Sequence, residues 1–375
     1  MKVLTVVGTR PEIIRLSRVM VRLEECFGHV LVHTGQNYDY ELNEIFFDQL
    51  GLRRPNYFLN SAGETAAATI ARCIDGLDKV LEAESPDAVL ILGDTNSCLS
   101  ALAAKKRHIP IFHMEAGNRC FDSRVPEEVN RKIIDHTSDI NLVYTEHARR
   151  NLIAEGLPTD QMFLTGSPMA EILNHHKTSI QESDVLSSLR LQKNEYFAAS
   201  FHREENVDDP RRLASIVKSL NTVATTFELP IILSLHPRTK KRLVQLSLPF
   251  HTLIQELHPF GFFDYVRLQQ DAYCTISDSG TITEEAAIIG FPAIMARDTH
   301  ERPEGMDSGV LVMTGIEHSS MVEGIKLSRK HFDSQGPRNV PQSYQDLDVS
   351  WRVVKLIQSY TGYVNRKVWH RISAE

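Results

Sequence analysis

The sequence predicts an α/β protein of two domains, each built on a mostly parallel sheet with helices on both faces. Three observations lead there. Short, partly β-branched apolar runs bounded by turns alternate with segments of helical period. The alternation restarts after a weak polar stretch, residues 175–193. The chain's 375 residues also exceed what one ordinary core accommodates.

Lys2–Val7, Val30–Val32, Ala88–Leu92, Pro110–Met114 and Ile140–Tyr144 read as buried strands of the first domain. Between them Ile13, Leu16, Met20 and Leu23 recur at helical spacing, as do Ile70, Ile74, Leu77 and Leu81. Thr165-Gly166-Ser167-Pro168 marks the boundary, so the first domain is expected over 1–168 and the second over 169–350. The second restarts with Tyr196–Ser200, Pro230–Leu235, Cys274–Ser277 and Pro292–Met295 as strands. Val349–Tyr360 is helix-like and Tyr363–Arg371 is aromatic and basic, giving a C-terminal helix and tail over 351–375.

A formal charge of −7 leaves no basic stripe for nucleic acid, so any phosphate group must be met by a local site. The five cysteines are scattered with no CxxC pair, which fits free thiols better than disulfides or zinc. The apolar start, Met1–Gly8, is short and runs into Thr9-Arg10-Pro11-Glu12 rather than a cleavage site, and no later segment has membrane-spanning length. A cytoplasmic protein without membrane or nucleic-acid partners is expected.

The chemistry gathers where strands end. Asp94, in Gly93-Asp94-Thr95-Asn96-Ser97, follows the run Ala88–Leu92, and Glu115, in His113–Arg119, follows Ile111–Met114. A third acidic word, Pro126-Glu127-Glu128-Val129-Asn130-Arg131, comes next. Carboxylates at the exits of buried strands are where α/β enzymes carry out their reactions. Gly8-Thr9-Arg10-Pro11-Glu12 closes the first strand and opens a helix whose N-terminus favours anions, and Arg10 adds a full charge there. An ordinary turn explains its Gly and Pro but not Arg10. The word is not GxGxxG, and none occurs elsewhere, so no dinucleotide redox cofactor is expected.

In the second half, Asp278-Ser279-Gly280-Thr281-Ile282-Thr283-Glu284-Glu285 places a turn and a helix start after a strand. Free N–H groups there suit a phosphate, Gly280 admits close approach, and Glu285 is placed to accept from a ribose diol. Thr281 and Glu284 have capping-box spacing, so a plainly capped helix explains the word equally well. His202, in Phe201–Asn206, sits where a strand meets a polar loop and as an imidazolium could assist a leaving phosphate. His236-Pro237-Arg238 occupies a similar place with less claim. Arg302, in Arg297–Glu304, offers a planar fork to phosphate oxygens, with salt bridging among its charged neighbours as the alternative. His113, Glu115, Cys120 and His136 lack the spacing of a zinc site, and no metal is expected.

In order, these words resemble the non-hydrolysing UDP-N-acetylglucosamine 2-epimerase family: GTRPE at Gly8–Glu12, GDT at Gly93–Thr95, HMEAG at His113–Gly117, PEE-N-R at Pro126–Arg131, HREEN at His202–Asn206, DSG and EE at Asp278–Gly280 and Glu284–Glu285, and ERPE at Glu301–Glu304. The resemblance implies two Rossmann-like domains in a glycosyltransferase-B arrangement, the active site in the interdomain cleft and the C-terminal helix crossing back to the first domain. It also implies a homodimer, a UDP-sugar substrate and no cofactor. Hydrogen on C2 of an N-acetylhexosamine is not flanked by a carbonyl, so the implied route is elimination of UDP to a 2-acetamidoglycal and re-addition. Two faces need at least two proton-transfer groups. Carried over by motif, these are Asp94, Glu115 and Glu127, with His202 assisting the diphosphate. Arg10, Arg15 (where the family commonly has Lys), Ser279, Gly280, Glu285 and Arg302 are implied to hold UDP, with Tyr265 packing on uracil.

HMEAGNRCFD (His113–Asp122), PFGFFDY (Pro259–Tyr265) and IQSYTGYVNRKVW (Ile357–Trp369) resemble the subfamily interconverting UDP-2-acetamido-2,6-dideoxy-L-talose and UDP-N-acetyl-L-fucosamine for capsule or O-antigen. Phe260 replaces a polar Gln of the plain enzymes, which suits a 6-deoxy sugar. UDP-N-acetylglucosamine as substrate, a hydrolysing epimerase, a glycosyltransferase and a non-catalytic nucleotide-sugar-binding protein are the competing readings.

Overall fold

Every strand pairing found among the described residues is parallel. The structure, a computed structural model, describes residues 1–36, 40–335 and 340–371. These fall into two units, Met1–Asn174 with Gln345–Glu375, and His175–Tyr344. The expected limits at 168 and 350 therefore shift to 174 and 344, and 372–375 of the tail lie outside the described residues.

The first unit holds β1 (Lys2–Val7), β2 (Gly28–His33), β3 (Tyr57–Phe58), β4 (Ala88–Leu92), β5 (Ile111–Ala116), β6 (Ile140–Val143) and β7 (Met162–Leu164), ordered β3-β2-β1-β4-β5-β6-β7. All five residues of β4 are buried, as an inner strand covered on both faces requires. The order reverses direction between β1 and β4, so the crossovers leave on opposite faces and open a crevice at the carboxyl ends of these two strands. The words beginning at Gly8 and Gly93 lie there.

Helix Arg10–Cys26 covers this sheet with Ile13, Leu16, Met20 and Leu23, all fully buried, each worth about 1.5–3 kcal/mol. Of the second apolar set, Leu77 and Leu81 enter the core while Ile70 and Ile74 pack at its edge. The C-terminal helix runs further than the apolar pattern suggests, from Val349 to Lys367, and packs against Arg10–Cys26. Glu171 accepts from the Ser350 amide at 2.8 Å, and Tyr360 meets Phe163 with centroids 4.4 Å apart.

The second unit holds β8 (Phe197–Ser200), β9 (Ile231–Ser234), β10 (Ile254–Leu257), β11 (Cys274–Ser277), β12 (Ala293–Met295) and β13 (Val312–Met313), ordered β10-β9-β8-β11-β12-β13. Its switch point lies between β8 and β11, which end at the words of His202 and Asp278. The polar stretch after residue 175 forms two short helices, Lys177–Gln181 and Val185–Ser188. No helix of the described residues is long and apolar enough to cross a membrane.

Candidate active site

In the first unit the turns after β1 and β4 are in contact. A Cβ on Gly8 would lie 2.0 Å from Ser97 Oγ and 2.2 Å from Thr34 Oγ1, so no side chain fits where these hydroxyls hydrogen-bond to each other. Glu12, third residue of its helix, ties the turns together. Its carboxyl accepts from the Gly8 amide at 2.5 Å, the Thr9 amide at 3.0 Å and Thr95 Oγ1 at 2.5 Å. Pro11 accordingly stands second in the helix, not first.

Burial pushes the Glu12 carboxyl up from 4.5 to about 7; the bonds from Thr95, Gly8 and Thr9 pull the other way, and Asp94 adds to the rise. The native state then keeps a proton that the unfolded chain has already released between pH 4.5 and 7. That stabilisation is complete below 4.5 and lost as pH rises through 7, amounting to roughly 3 kcal/mol. Glu12→Gln keeps an acceptor for both amides and puts an N–H towards Thr95 Oγ1, whose hydroxyl can turn to accept as it must from the protonated acid. It is expected to flatten this part of the stability–pH curve and, at pH 8, to be at least as stable as wild type in urea unfolding. An equal loss of stability at pH 5 and pH 8 would show that the acid is not held protonated.

Glu115, the last but one residue of β5, has φ +65°, a left-handed conformation that costs a glutamate about 1–2 kcal/mol. The β5–β6 register shifts between Met114 and Ala116, a bulge that re-aims the residue between them. Its carboxylate lies 3.0 Å from Arg15 Nη1 and accepts from Asn118 Nδ2 at 3.2 Å, with 14% of the side chain exposed. Arg15, expected to meet UDP, is thus buried against an acid. Arg10 is half-buried at the helix start, its guanidinium 5.8 Å from the Phe46 ring centroid.

Asp94 follows the neighbouring strand, Leu92 pairing with Met114. Arg131 Nε donates to its carboxylate at 2.7 Å and Asn130 Nδ2 to its carbonyl at 2.9 Å. Both donors belong to helix Pro126–Thr137, whose first turn carries Glu127, half-buried, beside positive N-terminal charge. Glu128 folds back instead, accepting from the Cys120 and Phe121 amides at 3.0 and 3.2 Å and from Arg131 at 2.8 Å. Burial raises its carboxyl, but the Cys120 amide and Arg131 outweigh that and hold it below the usual range. The structure therefore puts Asp94 and Glu115 after neighbouring strands, held by Arg131 and Arg15, with Glu127 on the helix that supplies Arg131.

Beneath that edge, His113 Nε2 is 2.8 Å from the Gly93 carbonyl and Nδ1 is 2.9 Å from Asp135. Asp135 accepts from the Gly117 amide at 3.2 Å and Arg119 at 2.7 Å, and Arg119 reaches Glu155 at 2.6 Å. His136 faces Glu155 and Cys120 faces Glu128, so the residues weighed as a zinc set have separate partners. No group of three His, Cys, Asp or Glu among the described residues is placed to hold a metal.

In the second unit, helix Thr281–Ile289 begins with Gly280 as its N-cap, which corrects the capping-box reading. Ser279 Oγ accepts from the Thr281 amide at 3.3 Å, while Glu284 pairs with Arg302 Nε at 3.3 Å. A Cβ on Gly280 would lie 3.3 Å from the Glu301 carboxylate and 3.6 Å from Arg203 Nη2. Glu301 is neutralised by buried Arg297, 3.0 Å away. Glu285 accepts from Gln269 Nε2 at 2.8 Å. Tyr265 OH donates to Ser200 Oγ at 2.7 Å, and Ser200 Oγ is 3.0 Å from Ser277 Oγ, whose oxygen accepts from the Ser279 amide. His202 follows β8 with 43% of its side chain exposed.

A sequence model of the family described as UDP-N-acetylglucosamine 2-epimerase matches residues 21–358. The chain belongs to that family. Membership makes it an isomerase of the UDP-sugar 2-epimerase class. A UDP-N-acetylglucosamine 2-epimerase structure from Rickettsia bellii is 48% identical with a TM-score of 0.92, covering 99% of this chain and 100% of its own. The Methanocaldococcus jannaschii UDP-GlcNAc 2-epimerase, solved with UDP-GlcNAc and UDP, is 32% identical with a TM-score of 0.90 over 96% and 100%. UDP-2,3-diacetamido-2,3-dideoxy-D-glucuronate 2-epimerase of Pseudomonas aeruginosa is 36% identical over 88% of this epimerase-family chain and 92% of the relative. The two parallel sheets are those of a family built from two Rossmann-like domains.

Motif reading missed Glu12, Glu128 and Gln269 as working parts. Glu12 and Glu128 stand inside recognised words, but nothing in a word tells which acid faces inward. Gln269 carries no local signal at all.

Proposed function

We propose that the protein inverts C2 of a UDP-N-acetylhexosamine by eliminating UDP to a 2-acetamidoglycal and re-adding it. The observation that carries the reading is the carboxyl edge of the first sheet, where Asp94 and the left-handed Glu115 follow neighbouring strands and Asp94 is held by the helix that carries Glu127. One acid takes the C2 proton as the C1–O bond breaks, its electron pair leaving on UDP. An acid on the other face returns a proton to C2, and UDP re-adds at C1. His202 meets the diphosphate as it gains charge. Ser279, Gly280 and Arg302 hold the diphosphate with Arg10, Glu285 the ribose, and Tyr265 the uracil. Arg15 stays in the substrate-binding set and also pairs with Glu115. A homodimer in the cytoplasm belongs to the same reading.

For the sugar, the favoured pair is UDP-2-acetamido-2,6-dideoxy-L-talose and UDP-N-acetyl-L-fucosamine. Phe260 packs against the cluster around Tyr196 and Leu268, so that packing alone explains its apolar character. The assignment rests instead on the three words shared with that subfamily. One observation favours UDP-N-acetylglucosamine: similar epimerases from Methanocaldococcus jannaschii and Neisseria meningitidis were solved bound to it. Incubation with each nucleotide sugar in heavy water, followed at C2 by NMR, separates the two. Turnover of the 6-deoxy pair is expected, and turnover of UDP-N-acetylglucosamine alone would transfer the assignment to the second reading.

A further inference from the structure

The fully buried Asp278 carboxylate organises the loop that carries His202. It accepts from the His202 amide at 3.1 Å, the Arg203 amide at 3.1 Å and Asn206 Nδ2 at 3.1 Å, and its Oδ1 lies 3.3 Å from His202 Nδ1. Asn206 also donates to the Ala296 carbonyl at 3.1 Å, which fastens the loop beneath the exposed ring. The backbone bonds alone would make Asp278 a loop clamp. The carboxylate facing Nδ1 adds something a clamp does not need.

We propose that Asp278 is a positioning residue for His202, fixing the imidazole with Nδ1–H on the carboxylate and Nε2 directed away from it. An imidazole held this way keeps one tautomer when neutral and is stabilised when protonated. Nε2 then donates to the β-phosphate oxygen that receives the electron pair of the breaking C1–O bond, and no covalent bond forms at histidine. Because Ser279 and Gly280 follow Asp278 directly, the same carboxylate keeps His202 in register with the turn assigned to the diphosphate. The proposal rests on the reading of His202 as the group that meets the leaving diphosphate.

The test compares wild type, Asp278→Asn, His202→Gln and the double variant by kcat for the nucleotide sugar and by calorimetric affinity for UDP. Asn keeps one acceptor for the loop amides and loses the charge facing Nδ1. Asp278→Asn is expected to lower kcat about 10- to 100-fold with UDP affinity changed less than about threefold. In the His202→Gln background it should add nothing. Independent, multiplied losses in the double variant would reduce Asp278 to a clamp and overturn the proposal. Wild-type kcat in His202→Gln would instead remove the role of His202 itself, a different failure. A second measurement does not depend on how Asp278→Asn folds. In wild-type protein carrying 15N-histidine, the His202 signals, assigned by their loss in His202→Gln, are expected to show the Nδ1–H tautomer at alkaline pH. A dominant Nε2–H tautomer would contradict the geometry.

Discussion

Glu115→Gln is expected to lower kcat by about a thousandfold while KM changes less than about threefold, since positioned acid–base groups contribute about 10²–10⁴. The substitution is isosteric, and a Gln oxygen still accepts from Asn118 Nδ2, so the bulge at the end of β5 keeps its support. What disappears is a proton-accepting oxygen. Arg15 loses a charge partner 3.0 Å away, so melting curves must accompany the kinetics to separate lost chemistry from lost fold. A kcat within tenfold of wild type in a folded protein would remove Glu115 from the proton-transfer set. The left-handed backbone points the same way: the chain tolerates strain at a glutamate where glycine would relieve it.

Asp135→Ala should be the most damaging substitution away from the carboxyl edge, lowering the free energy of unfolding by about 3–5 kcal/mol. Asp135 is fully buried, faces His113 Nδ1 at 2.9 Å and accepts from Arg119 and the Gly117 amide. Burial alone would raise its carboxyl, yet His113 and Arg119 outweigh burial and hold it below the usual range. Removing it leaves a buried guanidinium with Glu155 as its remaining acid, and releases the ring that supports the Gly93 carbonyl beside Asp94. Urea unfolding at pH 7 measures the loss. Arg124→Ala, at an exposed arginine paired with Asp122, should leave the midpoint in place. A midpoint for Asp135→Ala as high as that of Arg124→Ala would show that the network carries no net stability.

The inner strands were legible because burial on both faces leaves short, mostly apolar and β-branched runs bounded by turns: Lys2–Val7, Ala88–Leu92 and Cys274–Ser277 match residue for residue. The outer strands were not. Tyr57–Phe58 and Val312–Met313 are two residues long, and Ile254–Leu257 exposes Gln255 and Glu256, so none shows a period. The words of the site were legible from residue type and strand-end position. Partner choice was hidden, because it depends on which side chains the fold turns inward. Arg15 has a carboxylate partner in Glu115 that its word does not announce, Glu284 looked like a cap and is the partner of Arg302, and Phe260 packs on the core of its own sheet.

The account requires that C2 lose its proton while UDP is transiently off the sugar, with the nucleotide retained in both products. Turnover of the UDP-sugar in heavy water, read by NMR at C2, tests this most directly. The predicted result is deuterium at C2 of the newly formed epimer, with both sugars still carrying UDP. An epimer that keeps its original hydrogen at C2, or equal release of free sugar and UDP, would contradict it.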